Sequence, residues 1–178
     1  DQNPLILIIR TLGHLYIFIL LLRLILQVSK PYYHTPISQA IGVEPTPRPP
    51  PQKIIPKLFK TDISPVIVAL LLNAVILYTV YALGNQFIPV VTLSIYALIG
   101  IFNTFLDIIF YAVLGSVIIS WIAPDSPHPA PQLIMQVTSP LYRFIGKAIP
   151  PIGGFDLSPI VIFIAIQLIQ SQLRPFLI

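Results

Sequence analysis

The sequence predicts an all-α protein: a polytopic transmembrane helical bundle with four main spans in two parallel helix–loop–helix repeats and interfacial helices in its loops. Three observations lead there. The 178 residues are 56% hydrophobic and only 9% charged, with a mean hydropathy of +0.87. Soluble domains carry about 25% charged residues, so this chain could not cover a water-facing surface. Four apolar stretches reach the roughly 20 residues needed to cross a bilayer. An Asp-x-Ser-Pro string opens two of those stretches, 94 residues apart.

The first span is expected over 5–28, a Leu/Ile run interrupted by Arg10, His14 and Arg23. It exceeds a secretory apolar core and lacks a basic leader, so it reads as a true span. Lys30-Pro31 ends it, because proline cannot continue the hydrogen-bond ladder. A basic loop occupies 29–63, holding Lys30, Arg48, Lys53, Lys57 and Lys60 against Glu44 and Asp62. Its proline run from Pro45 to Pro51 fits extended polyproline II, either as a stiff linker or as a docking segment for a proline-reading partner. The second span is expected over 64–83, broken by Gly84-Asn85-Gln86.

The apolar run from Phe87 to Ala123 is too long for one span at about 1.5 Å per residue. The third span is therefore assigned to 98–122, and 84–97 to a connection whose part from Phe87 to Ala97, marked by Pro89, is interfacial or partly inserted. The second loop, 124–157, opens with Pro124, Pro127, Pro129 and Pro131. Leu133, Val137, Leu141, Phe144 and Ala148 then recur at helical spacing, with Gln136, Arg143 and Lys147 off that stripe. This is an amphipathic helix divided at Pro140, lying in the membrane surface or packed on the spans. The fourth span is expected over 158–175.

The two halves, 1–97 and 98–178, read as copies of one unit. Ile55-Pro56 leads to Asp62-Ile63-Ser64-Pro65, and Ile149-Pro150 leads to Asp156-Leu157-Ser158-Pro159, with proline and aspartate six apart in both. The motif suits a helix start. Ser64 and Ser158 are placed to accept from orphan N–H groups, Pro65 and Pro159 fall at the first helical position, and Asp62 and Asp156 oppose the positive helix end. Two spans per copy imply that both copies insert in the same sense, about an axis along the membrane normal. Both loops then share one face. They hold seven of the ten Lys and Arg residues, so that face is expected to be cytoplasmic and both termini to be outside.

Superposing the repeats in sequence pairs His14 with Asp107, Asn73 with Gln167 and Arg10 with Asn103. Each span then carries a polar residue near its middle. His14, Asp107, Asn73 and Gln167, with Arg10, form an expected intramembrane polar layer that either handles an ion or proton or holds helices together. Trp121, Tyr32, Tyr33 and Tyr142 suit the membrane interface.

The net charge of +4 has its explanation in the membrane-facing loops, and no basic–aromatic groove points to nucleic acid. The chain has no cysteine, no nucleophile elbow, no Gly-rich phosphate loop and no paired carboxylates. No enzyme activity, cofactor or metal is therefore expected. His34 and His128, one in each loop, lack nearby carboxylates.

Leu20-Leu21-Leu22-Arg23 with Gln27, then Pro36-Ile37-Ser38-Gln39, then Ile149-Pro150-Pro151-Ile152-Gly153-Gly154-Phe155-Asp156-Leu157-Ser158-Pro159 resemble the YggT family over nearly the whole chain. Thr35 stands where that family has asparagine, and Gln52-Lys53 and Gly146-Lys147 stand where it has paired arginines. The resemblance implies tandem repeats in a bacterial inner membrane or a plastid membrane, without catalysis. It also implies links to osmotic-shock tolerance, potassium handling, cell division and assembly of membrane complexes. The expected function is a non-enzymatic inner-membrane scaffold or accessory and assembly protein. Its partners would be the lipid bilayer and other membrane proteins or further copies of itself. The alternative is a small ion-transport component in osmotic-stress tolerance or potassium handling.

Overall fold

The computed structural model describes residues 3–29, 63–153 and 156–177. Most of the first basic loop, with the proline run 45–51 and Asp62, lies outside them. Within the described residues the fold is helical: α1 (Pro4–Ser29), α2 (Ser64–Leu83), α3 (Val90–Ile122), α4 (Pro129–Ala148), α5 (Ser158–Leu173) and a closing 3-10 turn, Arg174–Phe176. Four helical stretches, Pro4–Gln27, Ser64–Leu83, Val90–Ile122 and Ser158–Phe176, are long and apolar enough to cross a membrane. The protein is a multi-pass, all-helical membrane protein.

Each helix end has an identifiable cause. Asn3 caps α1: its Oδ1 accepts from the Leu5 N–H at 3.0 Å and its carbonyl from the Leu7 N–H at 3.1 Å, with Pro4 supplying the first helical φ. α2 ends where Asn85 takes a left-handed φ of 55°. The Gln86 N–H then reaches back to the Tyr81 carbonyl at 2.8 Å, closing the last turn. Asparagine tolerates this conformation better than other residues with a Cβ.

α3 differs from the expectation. It is one 33-residue helix beginning at Val90, so the connection assigned to 84–97 shrinks to residues 84–89. Pro89 does not interrupt it, because it sits ahead of the first turn, where its missing N–H costs nothing and its carbonyl accepts from the Leu93 N–H at 2.8 Å. At about 1.5 Å per residue α3 is roughly 50 Å long, well beyond a hydrocarbon core of about 30 Å. Phe87 precedes it and Trp121 lies at its far end, both more than four-fifths exposed. Aromatic residues at both ends suit the two interfaces.

α4 also departs from the expectation of a helix divided at Pro140, for it runs unbroken through that residue. Proline removes one ladder bond and crowds the preceding turn. The turn there is bound on both sides: Thr138 Oγ1 donates to the Ile134 and Met135 carbonyls at 2.9 and 3.2 Å, and Tyr142 is tied to α3. Its packed side carries buried Leu133 and Thr138 with half-buried Val137, Leu141 and Tyr142, whereas Phe144 and Ala148 of the expected stripe are exposed.

The described residues group into two compact units that cut across the sequence repeats. One comprises 3–24, 63–106 and 170–177, the other 25–29, 107–153 and 156–169. In the first, Pro65, Ala69, Asn73, Ile76 and Leu77 form the buried stripe of α2. The backbones come close at two glycines. A Cβ on Gly100 would lie 2.5 Å from Asn73 Nδ2, and one on Gly13 would strike Ile76 Cδ1. Small residues permit such approach in lipid, where packing rather than the hydrophobic effect joins helices. Tyr96 packs edge-on against Phe176 at 5.8 Å between centroids. In the second unit Phe110 of α3 meets Phe163 of α5 at 5.1 Å.

The glycines yield a graded prediction. Asn73 is buried and held by a hydrogen bond, so it cannot yield to a new methyl; Gly100→Ala is expected to cost about 1–3 kcal/mol. Ile76 can turn its terminal methyl, so Gly13→Ala should cost less. Thermal unfolding of the two variants in detergent should rank Gly100→Ala below Gly13→Ala, and the reverse order would contradict this packing.

Candidate functional site

The polar residues expected to form one layer occupy different environments. Asn73 is 5% exposed, and its Nδ2 donates to the Ala97 carbonyl at 3.0 Å, joining α2 to α3. Ala97 and Gly100 keep that face of α3 flat enough for the amide to reach the backbone. Arg10 is half-buried, with an enclosed Nε that has no hydrogen-bond partner, and Asn103 likewise has an enclosed Oδ1 without one. Asp107 is half-buried. His14 and Gln167 are exposed on the faces of α1 and α5. Asn73, Arg10, Asn103 and His14 belong to the first unit, Asp107 and Gln167 to the second.

Five hydroxyl groups of the spans follow a simple rule. Thr79, Ser94, Thr104, Ser116 and Ser120 each donate to a carbonyl three or four residues back in their own helix, at 2.7–3.0 Å. Such back-bonding satisfies a hydroxyl where no water is available.

Ser116 does more. It is buried, and besides donating to the Val113 carbonyl at 2.7 Å its Oγ shares a short hydrogen bond with the Tyr142 hydroxyl of α4. Either hydroxyl can donate in this bond. This bond fixes the amphipathic helix to the third span. Burial raises the Tyr142 pKa above its ordinary value near 10; the Ser116 bond opposes the shift and the charge of Asp156 adds to it.

The paired helix starts are alike in geometry but not as the motif suggested. Ser64 and Ser158 are the first helical residues rather than the caps. The residues before them, Ile63 and Leu157, accept the first ladder bonds, from Ile67 N–H and Val161 N–H, each at 3.2 Å. Pro65 and Pro159 thus stand one position further into their helices than expected, still within the turn that needs no N–H partner. In the second copy the side-chain cap is Asp156, whose Oδ1 accepts from the Ser158 N–H at 2.9 Å, while Ser158 Oγ is buried without a partner. The serine cannot cap because the helix already includes it. No side chain caps α2 from Ile63, and Asp62 lies outside the described residues.

Two caps were absent from the sequence reading: Asn3 on α1 and His128 on α4, whose Nδ1 accepts from the Ala130 N–H at 3.1 Å. Both precede a proline, and a polar residue followed by Pro at a helix start is the signal that would have found them. Capping occupies Nδ1 of His128 and leaves that residue one free ring nitrogen. Among the described residues, no three His, Asp or Glu side chains gather to hold a metal ion.

Four long apolar helices, a polar clamp between α2 and α3, and an amphipathic helix pinned to the third span define a class: a multi-pass helical membrane protein. The comparisons give the family. The sequence model of the CCB3/YggT family matches twice, over residues 2–83 and 95–177, and the chain belongs to that family. It is similar to the uncharacterized protein PA0392 of Pseudomonas aeruginosa, 37% identical over 169 residues that span 92% of this chain and 84% of that one. It is 30% identical to the uncharacterized protein in the proC 3′ region of Vibrio alginolyticus, over 93% of this chain and 91% of that one. It is 28% identical to the uncharacterized protein YggT of Escherichia coli K12, over 95% and 88%. No solved structure matches the chain significantly.

Tyr142→Phe removes one buried hydrogen bond and should destabilise by about 1 kcal/mol. The folded chain holds the Tyr142 proton to higher pH than the unfolded chain does, so it binds more protons above the ordinary value near 10. The stabilisation is therefore complete below that pH and is lost as pH rises through the folded value. Unfolding measured from pH 8 to 11 should show wild type and Tyr142→Phe converging at the alkaline end; a constant gap would refute the assignment.

Proposed function

We propose that the protein is a non-enzymatic scaffold or accessory subunit of a bacterial inner membrane, acting by lateral packing of its spans and through its basic loops. The observation that carries this reading is Gln167. Its amide is exposed on α5, beside Ile164 and Leu168, both more than half exposed, and makes no hydrogen bond with another described residue. Facing acyl chains, an unpaired amide costs a few kcal/mol. A neighbouring transmembrane helix would satisfy it, and such polar contacts are common glue between spans. His14, exposed on α1, offers a second such point. The outward surface is extensive: in the most apolar stretches of α1 and α5 only 11% of residues are buried.

In this reading the partner is another membrane protein or a second copy of the chain. The basic loops face the cytoplasm, as the positive-inside rule favours, and the termini face outward. A second reading, a small ion-transport component under osmotic stress or in potassium handling, draws support from the enclosed, unpartnered Arg10 Nε and Asn103 Oδ1. Groups of that kind are satisfied by water or an ion.

Extraction in mild detergent followed by mass spectrometry should recover the chain with a membrane partner or as an oligomer, and Gln167→Leu should reduce that recovery several-fold. A chain always recovered alone would sink the scaffold reading. Liposome ion flux that is absent, or unchanged in Asp107→Asn, would remove the transport reading.

A further inference from the structure

Beyond these readings, the junction of α3 and α4 carries a cleft that neither of them uses. It is open, about 540 Å³ in volume, and lies wholly within the second unit. Ile119 and Met135 contribute apolar wall, and Asp125, Ser126, Gln132 and Gln136 contribute polar groups. We propose that this cleft binds a primary ammonium group, supplied either by a phosphatidylethanolamine headgroup or by a free amine.

Three observations select that chemistry. First, the charge in the cleft is negative and unbalanced. Asp125 makes no hydrogen bond or ion pair with another described residue, and no Lys or Arg lines the cleft. Second, Gln136 Oε1 is fully enclosed and has no hydrogen-bond partner, although Gln136 lines the same cleft. A buried amide oxygen left unmatched is costly, and a donor from a ligand removes the cost. Third, Ser126 Oγ accepts from the His128 N–H at 3.2 Å, so its orientation is fixed and a lone pair remains. Carboxylate, amide oxygen and hydroxyl are three acceptors on residues that line the cleft, the enclosed amide oxygen reaching a ligand when the Gln136 side chain turns toward it, and an ammonium has three N–H donors to match them.

The alternatives fit less well. A calcium ion takes 6–8 oxygen ligands, more than this cleft presents. A quaternary ammonium has no N–H to give and is recognised by aromatic cages, and no aromatic ring lines the cleft. An anion would meet Asp125 without a compensating cation. The surroundings suit a lipid source in particular. Trp121 and Ile122 at the end of α3 are about four-fifths exposed, as residues at a bilayer interface are, and Ile119 carries the apolar wall back along the same helix.

The test uses the full chain in nanodiscs of mixed phosphatidylethanolamine and phosphatidylcholine, with retained lipid counted by native mass spectrometry. Wild type should retain phosphatidylethanolamine preferentially. Asp125→Asn should reduce the preference about tenfold, since a hydrogen bond to a charged group is worth a factor of that order. Gln136→Leu should weaken it, and Asp125→Glu should preserve it. Asp125 is exposed in a loop, so its variants should unfold at the wild-type temperature, which separates lost binding from lost folding. In discs of phosphatidylcholine alone, titrated ethanolamine should raise the wild-type unfolding temperature if the source is a free amine, and Asp125→Asn should abolish that shift. Either effect with this dependence on Asp125 supports the proposal and names the source. Absence of both, equal effects in wild type and Asp125→Asn, or preferential retention of phosphatidylglycerol when it is added overturns it.

Discussion

The structure depends on one constraint: a polar group among lipid-facing helices must find its partner within the protein, because no water will supply one. Asn73 illustrates the consequence. Its amide needs an acceptor, the nearest is a main-chain carbonyl of another helix, and α2 can come that close to α3 only beside Ala97 and Gly100. A single hydrogen bond thus sets the separation of two helices and the residues allowed between them. The same requirement turns the hydroxyls of Thr79, Ser94, Thr104 and Ser120 inward onto their own helices, where they tie nothing together.

Ser116 and Tyr142 extend this logic to α4. α4 is less apolar than the spans and carries Arg143 and Lys147 exposed on its outer side. It stays with the third span because its packed side presents Leu133 and Thr138 and ends in a hydroxyl hydrogen-bonded to Ser116. Phe144, which looks like a core residue in the sequence, is left three-quarters exposed beside those two cations, an arrangement suited to headgroups and acyl chains together. The cleft lies at the N-terminal end of this helix, where it meets the end of α3.

Residues that break the constraint are the ones on which the proposals rest. Gln167, exposed on a span, asks for a neighbour. Gln136 Oε1, enclosed beside a carboxylate, asks for a donor. Arg10 and Asn103 each hold an enclosed atom that nothing in the described structure satisfies. None of these resembles a catalytic constellation.

By itself the sequence determined that the chain is helical and that four of its segments are long and apolar enough to cross a membrane, because hydropathy is a local property; the Asp-x-Ser-Pro string that recurs 94 residues on is legible in the same way. It did not determine which face of a span turns inward. α2 is apolar on every side, and the interior of the protein is no greasier than the bilayer around it, so no periodicity marks the stripe from Pro65 through Asn73 to Leu77. Nor could it show that Pro89 stands before a helix and Pro140 within one, since proline disfavours both interiors alike and only the packing around it decides whether the loss is borne. The role of Ser158 went the same way. Its Oγ could have capped the helix in isolation, but the tertiary path admitted the serine into the first turn and handed the cap to Asp156. Interactions between residues distant in sequence, such as Asn73 with Ala97 and Ser116 with Tyr142, were decided by the fold alone, because they depend on how close two helices can come.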